Sequence, residues 1–400
     1  MRPELIVAEK EFRDHITSKR FILIFGIMLL LAIYSINLGM DSYNQQLDSY
    51  KKQADVSNPD TKRIIDNYQQ MIQDAKDRGD PPQSIQTMQD TLDRYLNPQM
   101  PSVLQIFNAM LLLFTFVGMI LGAALGFDQI ARERDEGSLK FLVSSPIYRD
   151  AIINGKTIGA ILTLGSAMVA AFAITIAIVL LKGVVPGLDD MIRVTLFFIA
   201  GLLYCMVFFA LAMVMSALSK NTAMAAIFTV GMVFAVFVYT VLAVLAANMI
   251  TDSILGPPPV YNYLQPHYPV VVVNESEGGT TTYPSTYDDS GYQEYYSEYQ
   301  NYSNRRTQTQ ADISGILSAF SPIDSFSGYL GYGHMGVGQA MITRQNTAVY
   351  MYVPSTDRQP QDMSILDSLS SVWMRTLIMI AEIMAAFGIA YVAFMRTDVR

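Results

Sequence analysis

Gly155, Lys156 and Thr157 form the Gly-Lys-Thr triplet with which phosphate-binding P-loops end. Such a loop needs an earlier glycine, in the pattern Gly-x-x-x-x-Gly-Lys-Thr, so that successive backbone N–H groups can wrap the phosphates. That position holds Asp150, whose carboxylate would repel phosphate, and Lys156 runs directly into an apolar segment rather than into a nucleotide-binding domain. We therefore expect neither ATP binding nor catalytic residues in this chain.

The carboxyl group of Glu382 is the second chemically active feature, because it lies near the middle of the last apolar segment. A charge there costs about 2.5 to 3.5 kcal/mol on insertion scales, so the group must be protonated, paired or in contact with water. Two interpretations stay open: a translocation path for a substrate or ion, and a neutral acid that hydrogen-bonds to a neighbouring helix. His15, His267 and His334 lack metal-ligand spacing, so we expect no metal site.

The segments that carry these residues are unusually apolar. Of the 400 residues, 51% are hydrophobic and 16% are charged, against about a quarter charged in a typical soluble domain. The apolar residues gather into six blocks long enough to cross a hydrocarbon layer about 30 Å thick. The predicted spans are residues 21–40, 103–127, 157–181, 194–218, 223–250 and 372–395.

The distribution of Lys and Arg predicts the orientation of these spans, because positive flanks stay cytoplasmic. Residues 1–20, 128–156, 219–222 and 396–400 hold thirteen basic residues, so we expect both termini on the cytoplasmic side of the membrane. The net charge of −8 comes mainly from residues 251–371, which carry twelve acids and four arginines. We expect membrane lipid as a partner and no nucleic acid.

Two long connections are predicted outside the membrane. Residues 41–102 have apolar stripes at helical spacing with Gly79, Pro81 and Pro82 between them, which predicts an external helical hairpin. One stripe comprises Ile64, Ile65, Tyr68, Met71, Ile72 and Ala75, and the other Ile85, Met88, Leu92 and Leu96.

Residues 251–371 read as a mixed external domain with strand-like stretches at 269–273 and 348–353. The Tyr-rich stretch 283–310 between them favours an irregular insertion, with a binding surface for an external partner as the alternative. Asn274 and Asn301 begin possible N-glycosylation sequons. Cys205 is the single cysteine of the chain, so no intrachain disulfide can form.

The segment "GFDQIARERDEGSLKFLVSSPIYRDAIINGKTIG", residues 126–159, connects the second and third spans. It resembles the signature of type-2 ABC-transporter permeases, the membrane subunits of prokaryotic ABC exporters. The opening residues 4–21, residues 320–330 and the last residues 394–400 are also similar to this family. The matching signature residues are Glu133, Arg134, Asp135, Gly137, Ser138, Leu139, Leu142, Ser144, Pro146, Arg149, Gly155 and Lys156.

The resemblance implies a six-span permease in which residues 128–156 contain a coupling helix held by a separate ABC ATPase. ATP and Mg would then bind the ATPase, the permease would form a homodimer, and an amphipathic elbow helix would precede the first span. A helix that merely lies on the lipid surface is the alternative. The residues assigned to coupling are Glu133, Arg134, Asp135, Gly137, Leu139, Phe141, Leu142, Pro146, Arg149 and Lys156.

Gly118, Gly122 and Gly126 recur at every fourth residue of the second span, which places three missing side chains on one helix face. Such a face allows another helix to approach closely. Packing within one protomer and contact across a dimer are both open.

The sequence therefore predicts an all-α membrane permease with six spans and two external insertions. The resemblance implies that it exports a substrate, which the residues do not identify, across the cell membrane of a prokaryote. Two other functions stay open. A receptor or scaffold would present the external segments to a partner, and a secondary transporter would use Glu382 for ion coupling.

Overall fold

The computed structural model describes residues 3–55, 58–80, 82–137, 149–260, 290–328, 334–344 and 363–396. All regular structure in these ranges is helical, and six of the helical segments are long and apolar enough to cross a membrane. The predicted all-α, six-span class is confirmed. The strand-like stretches 269–273 and 348–353 lie outside the described residues.

The helices of the first half of the chain begin with a short segment and then alternate between long apolar and shorter polar elements. They are α1 (Pro3–Ile16), α2 (Lys19–Ala54), α3 (Pro59–Arg78), α4 (Pro82–Leu96), α5 (Asn108–Leu113), α6 (Met119–Gly126) and α7 (Ala131–Asp135). A 3₁₀ helix over Val103–Phe107 and a π-helical turn over Phe114–Gly118 flank α5, so that the second span runs from the 3₁₀ helix through α6.

The second half contains four long apolar helices, one long polar helix and two short helices. They are α8 (Arg149–Leu181), α9 (Leu188–Leu218), α10 (Thr222–Leu255), α11 (Ser290–Ser318), α12 (Pro322–Ser327), α13 (Val337–Ile342) and α14 (Ile365–Met395). We call the end of the bundle with α1, α7 and the α9–α10 connection the basic end.

The first apolar helix is longer than its predicted span. Helix α2 continues from the apolar segment through Ala54, whereas hydropathy ends the span at Met40. Residues 41–54 are polar but contain no Gly or Pro to end the helix, and the next helix starts only after Asn58 caps its first turn. Helices α3 and α4 then lie side by side, with the rings of Tyr68 and Tyr95 stacked at 6.0 Å.

The second span and α9 form the centre of the bundle. In α9, 78% of the most apolar stretch is buried, against 17% in α10. Side chains at Gly122 and Gly126 would overlap the backbone oxygens of Cys205 and Phe209 in α9, so this glycine face packs within one chain. Of the two alternatives left open for these glycines, the structure shows packing within one protomer.

The π-helical turn in the second span has a direct partner on α9. The hydroxyl of Tyr204 donates to the carbonyl oxygen of Thr115 at 2.7 Å, inside the turn. A π-turn breaks the regular pairing of carbonyls and N–H groups, and the tyrosine supplies a partner to this buried carbonyl. The turn is thus stabilised from a neighbouring helix.

Residues 283–289 of the Tyr-rich segment lie outside the described residues. For residues 290–310 the prediction of an irregular segment was wrong, because they belong to the continuous helix α11. Polar contacts join it to the end of α10. Arg306 pairs with Asp252 at 2.9 Å, and Tyr302 donates to the carbonyl of Gly256 at 2.7 Å. The segment has few aliphatic residues and therefore lacks the apolar stripe that predicts a helix. It needs no such stripe, because it packs against a polar helix end rather than an apolar core.

Helix α12 is short, fully buried and wedged between α10 and α14. The hydroxyls of Ser321, the α12 cap, and Thr240 on α10 are 2.5 Å apart. On the other side, Arg375 of α14 donates to a carboxylate oxygen of Asp324 at 2.9 Å. The ring of Phe326 stacks on Tyr204 of α9 at 4.7 Å, so α12 contacts three of the long helices.

Candidate functional site

The Gly-Lys-Thr triplet lies where α1 crosses α8. A side chain at Gly155 would meet Val7 at 2.6 Å, and one at Gly159 would meet Glu11 at 2.7 Å. The two glycines lie one helical turn apart, so they allow the backbone of α1 to approach α8 closely. The glycine that resembles part of a P-loop is therefore a helix-packing position.

Lys156 is the centre of a buried charge cluster at this crossing. Its ammonium Nζ lies 2.9 Å from a carboxylate oxygen of Glu11 in α1 and 2.7 Å from one of Glu133 in α7. All three residues are buried. One cation thus holds three separate segments of the chain together, and breaking such a buried pair strongly destabilises a protein.

Arg134 and Asp135 connect the same short helix to the α9–α10 connection. The guanidinium of Arg134 donates to the backbone oxygens of Ser219 and Ala217 at the end of α9. A carboxylate oxygen of Asp135 lies 3.4 Å from the backbone N of Thr222, the first residue of α10. A cation at a helix C-terminus and an anion at an N-terminus both match the helix dipole.

The start of α7 is held by α9 as well. The hydroxyl oxygen of Ser216 accepts from the backbone N–H groups of Ile130 and Ala131, each at 3.0 Å. This replaces the N-terminal cap that α7 itself lacks. Residues 128–137 are consequently fixed to α1, α8, α9 and α10 at once.

His15 and Glu11 give this network a pH dependence. Burial lowers the pKa of His15 below its usual 6.5, so the imidazole is neutral and packs against the side-chain amide of Gln129 at 2.8 Å. Burial alone would raise the pKa of Glu11, but the charge of Lys156 and its hydrogen bond outweigh burial and hold that pKa below 4.5.

We expect thermal stability to fall in two steps as the pH is lowered from about 7.5 to about 4. Below pH 6.5, the usual pKa of histidine, the unfolded chain binds a proton on His15. The folded chain does not, because burial lowers the pKa of His15. Below pH 4.5, the unfolded chain takes up a proton on Glu11 that the folded chain does not bind, because Lys156 holds the folded-state pKa of Glu11 lower. Unfolding midpoints of detergent-purified protein measure both steps. The variant His15→Gln should lack the first step and Glu11→Gln the second, and parallel curves for all three proteins would contradict this assignment.

The coupling residues predicted from the sequence fall into two groups. Glu133, Arg134 and Asp135 lie in α7 and meet Lys156 and the α9–α10 connection as described. Gly137 follows α7 with φ of 71°, and Arg149 begins α8. Leu139, Phe141, Leu142 and Pro146 lie outside the described residues.

Other predicted positions are remote from this cluster. Glu382 is on α14, in the membrane-spanning part of the bundle, and Asn301 is exposed on α11, while Asn274 lies outside the described residues. Sequence reasoning missed Glu11 and Ser216 as members of the network. The Gly155-x-x-x-Gly159 spacing was a usable signal for close packing on α8, but it did not identify α1 as the partner.

Comparison with known proteins identifies the family of this chain. A family model described as "ABC-2 family transporter protein" matches residues 5–399. A comparison with curated proteins found no match. The family match covers most of α1, the signature residues and all six apolar helices, and it confirms the resemblance to type-2 ABC permeases. The chain is a multi-pass membrane protein that belongs to the ABC-2 transporter family.

Proposed function

We propose that this chain is the permease subunit of an ABC transporter and that it converts ATP hydrolysis by a separate ATPase subunit into movement of a substrate. One observation carries the proposal: the three consecutive signature residues Glu133, Arg134 and Asp135 each contact a different helix or helix end. The sequence by itself does not explain why these three consecutive residues are all charged. In this arrangement each charge has a separate mechanical connection.

These contacts determine which helices would move if residues 128–137 were displaced. Glu133 meets Lys156 of α8, which in turn meets Glu11 of α1. Arg134 meets the end of α9, and Asp135 the start of α10. A displacement of residues 128–137 along the membrane normal therefore moves the ends of four helices as one body. Rigid-body transmission of this kind is a standard way to reorient a membrane bundle.

The remaining parts of the proposal follow from the family and from charge. ATP and Mg bind the ATPase partner, and this chain contributes no catalytic residue. The basic end, where α1 and α7 lie, faces the cytoplasm of a prokaryote, since Lys and Arg concentrate there. Two copies of the permease pair with two ATPase subunits, and the direction is export.

The apolar residues after α7 provide the test. We expect Leu142→Asp to abolish copurification of the chain with an ABC ATPase, because a carboxylate would enter the apolar contact that the loop offers its partner. The measurement is a pull-down of the tagged chain from its native membranes, followed by mass spectrometry and by assay of the ATP hydrolysis that the eluate supports.

Leu188→Asp is the matched control, because Leu188 is exposed at the start of α9, away from the basic end. It should copurify with the ATPase as the unmodified chain does. Copurification of Leu142→Asp at the unmodified level would contradict the coupling role. ATP-independent, ion-driven flux by the purified chain would instead favour a secondary transporter.

A further inference from the structure

A cavity of about 440 Å³ lies beside the Lys156 cluster, between α1, the start of α2 and the connection from α6 to α7. Its volume falls in the range of small-molecule sites, about 300 to 1,000 Å³. The cavity is partly open, because several of its charged side chains, including Asp14, Arg20 and Arg132, are about half exposed. It therefore has room for a ligand that enters from outside the bundle.

The lining of the cavity changes from charged to apolar in the direction of the membrane-spanning helices. Arg20 of α2 and Asp128, just after α6, form an ion pair at 2.7 Å that marks the same level on both segments. Ile24 of α2 and Ala124 of α6 also line the cavity, each four residues deeper, about 6 Å along its helix. A ligand that fills this space is polar at one end and apolar at the other.

The apolar part of the cavity continues onto the outer surface of the bundle. Ile27, three residues after Ile24 on α2, and Ile120, four residues before Ala124 on α6, are both exposed. Side chains at these spacings share one helix face, and α2 contacts α6. Exposed apolar side chains on a spanning helix face lipid, so acyl chains can follow the seam between α2 and α6 into the cavity.

The charges of the lining suit a ligand that carries both signs. Five basic and five acidic side chains line the cavity, so they give it no net charge, and the neutral His15 adds none. A purely basic pocket at this depth would select an anionic lipid headgroup. A balanced pocket favours a zwitterion instead, because charge complementarity decides which partner is accepted.

Several of these charged groups keep hydrogen-bonding capacity for a ligand. The guanidinium of Arg20 donates to Asp128 through one of its five N–H groups. Arg132 lies 3.6 Å from Glu136, and Asp14 lies 3.8 Å from a lysine of its own helix, both beyond hydrogen-bond distance. Arg20 and Arg132 can therefore donate to a phosphate, and Asp14 and Glu136 can accept from an ammonium group.

We propose that the cavity binds the headgroup of phosphatidylethanolamine, a phospholipid that carries an anionic phosphate and a primary ammonium group. Arg20 and Arg132 hold the phosphate, Asp14 and Glu136 accept from the ammonium group, and the acyl chains leave along the seam between α2 and α6. The site needs neither ATP nor an ATPase, so it goes beyond the proposed function. The bound lipid lies against α1 and α7, the two segments that Lys156 joins to α8.

Native mass spectrometry of the purified full-length chain in detergent measures binding of short-chain lipids. Phosphatidylcholine has the same phosphate but no N–H group to donate, and phosphatidylglycerol has the phosphate without a cation. We expect one saturable site for phosphatidylethanolamine and binding of the other two that is weaker by about tenfold, as loss of one charged hydrogen bond predicts. Glycerophosphoethanolamine has the headgroup without acyl chains and should not bind measurably.

Two variants separate the contacts to the phosphate from those to the ammonium group. Arg132→Gln should weaken binding of phosphatidylethanolamine and phosphatidylcholine alike, by about tenfold. The double variant Asp14→Asn, Glu136→Gln gives the cavity a net positive charge, so its preference should turn to phosphatidylglycerol. Each replaced side chain is about half exposed, so the fold does not depend on it. Arg13→Gln and Glu9→Gln, exposed on α1 and outside the cavity, are matched controls and should bind as the unmodified chain does.

The proposal is overturned if phosphatidylethanolamine binds no better than the other two lipids, if the double variant keeps the preference for it, or if Arg132→Gln binds unchanged. Equally tight binding of glycerophosphoethanolamine would also overturn it, because the ligand would then be a soluble molecule rather than a membrane lipid. Since no ATPase is present, failure here is distinct from failure of ATPase coupling, which the Leu142→Asp pull-down tests separately.

Discussion

Replacing Lys156 with methionine should destabilise the folded chain by about 3 to 5 kcal/mol, because it leaves two buried carboxylates without their shared cation. Glu11 and Glu133 would then face each other across the space that Nζ occupies, and both are buried. The contacts of α1 and α7 with α8 should loosen together. We expect a much lower unfolding midpoint in detergent and little monodisperse protein.

Two further variants separate charge from packing in this prediction. Lys182→Met removes an exposed lysine just after α8 and should leave the midpoint unchanged. In the triple variant Lys156→Met, Glu11→Gln, Glu133→Gln the uncompensated charge is gone, so much of the lost stability should return. Equal midpoints for the single and triple variants would show that shape rather than charge holds this crossing together.

Replacing Arg375 with methionine should cost a similar free energy, about 3 to 5 kcal/mol, but at the other end of the bundle. Asp324 is fully buried, and its ion pair with Arg375 is its connection to α14. We expect α12 to lose its attachment to that helix. Hydrogen exchange of the backbone amides of residues 318–328 should accelerate, together with a fall in the unfolding midpoint.

The double variant Arg375→Met, Asp324→Asn removes both charges and should be more stable than Arg375→Met alone. Arg305→Met, on the exposed side of α11, is the matched control and should exchange as the unmodified chain does. Exchange that stays slow at residues 318–328 in Arg375→Met would mean that α12 is held by its aromatic contact with Tyr204 instead.

The spans themselves were predictable because a hydrocarbon layer demands length and low polarity, which a sequence states directly. The partners of individual residues were not. Gly122 signals that something approaches closely, but only the fold identifies Cys205 on α9 as that neighbour. Likewise Lys156 was visible at the start of an apolar segment, while its partner Glu11 lies 145 residues earlier in the chain.

The lengths of two helices were not predicted, for related physical reasons. Hydropathy reports where a helix leaves the lipid and not where it ends, so the predicted span 21–40 did not include the polar continuation of α2 through Ala54. The helix in the Tyr-rich stretch was missed for a related reason, because apolar periodicity detects only helices that pack against apolar partners. Helix α11 packs on α10 through Arg306, Tyr302 and Gln310, which periodicity does not register.

The unbroken course of α2 has a mechanical consequence. Its 36 residues make a rod about 54 Å long at 1.5 Å per residue. The rod starts beside α1, which Lys156 joins to the signature loop, and it ends at the α3–α4 hairpin on the other side of the bundle. Pivoting such a rod by about 10° at its base swings its tip by roughly 9 Å. A small tilt of α2 at the basic end would therefore appear as a larger sideways displacement of the α3–α4 hairpin.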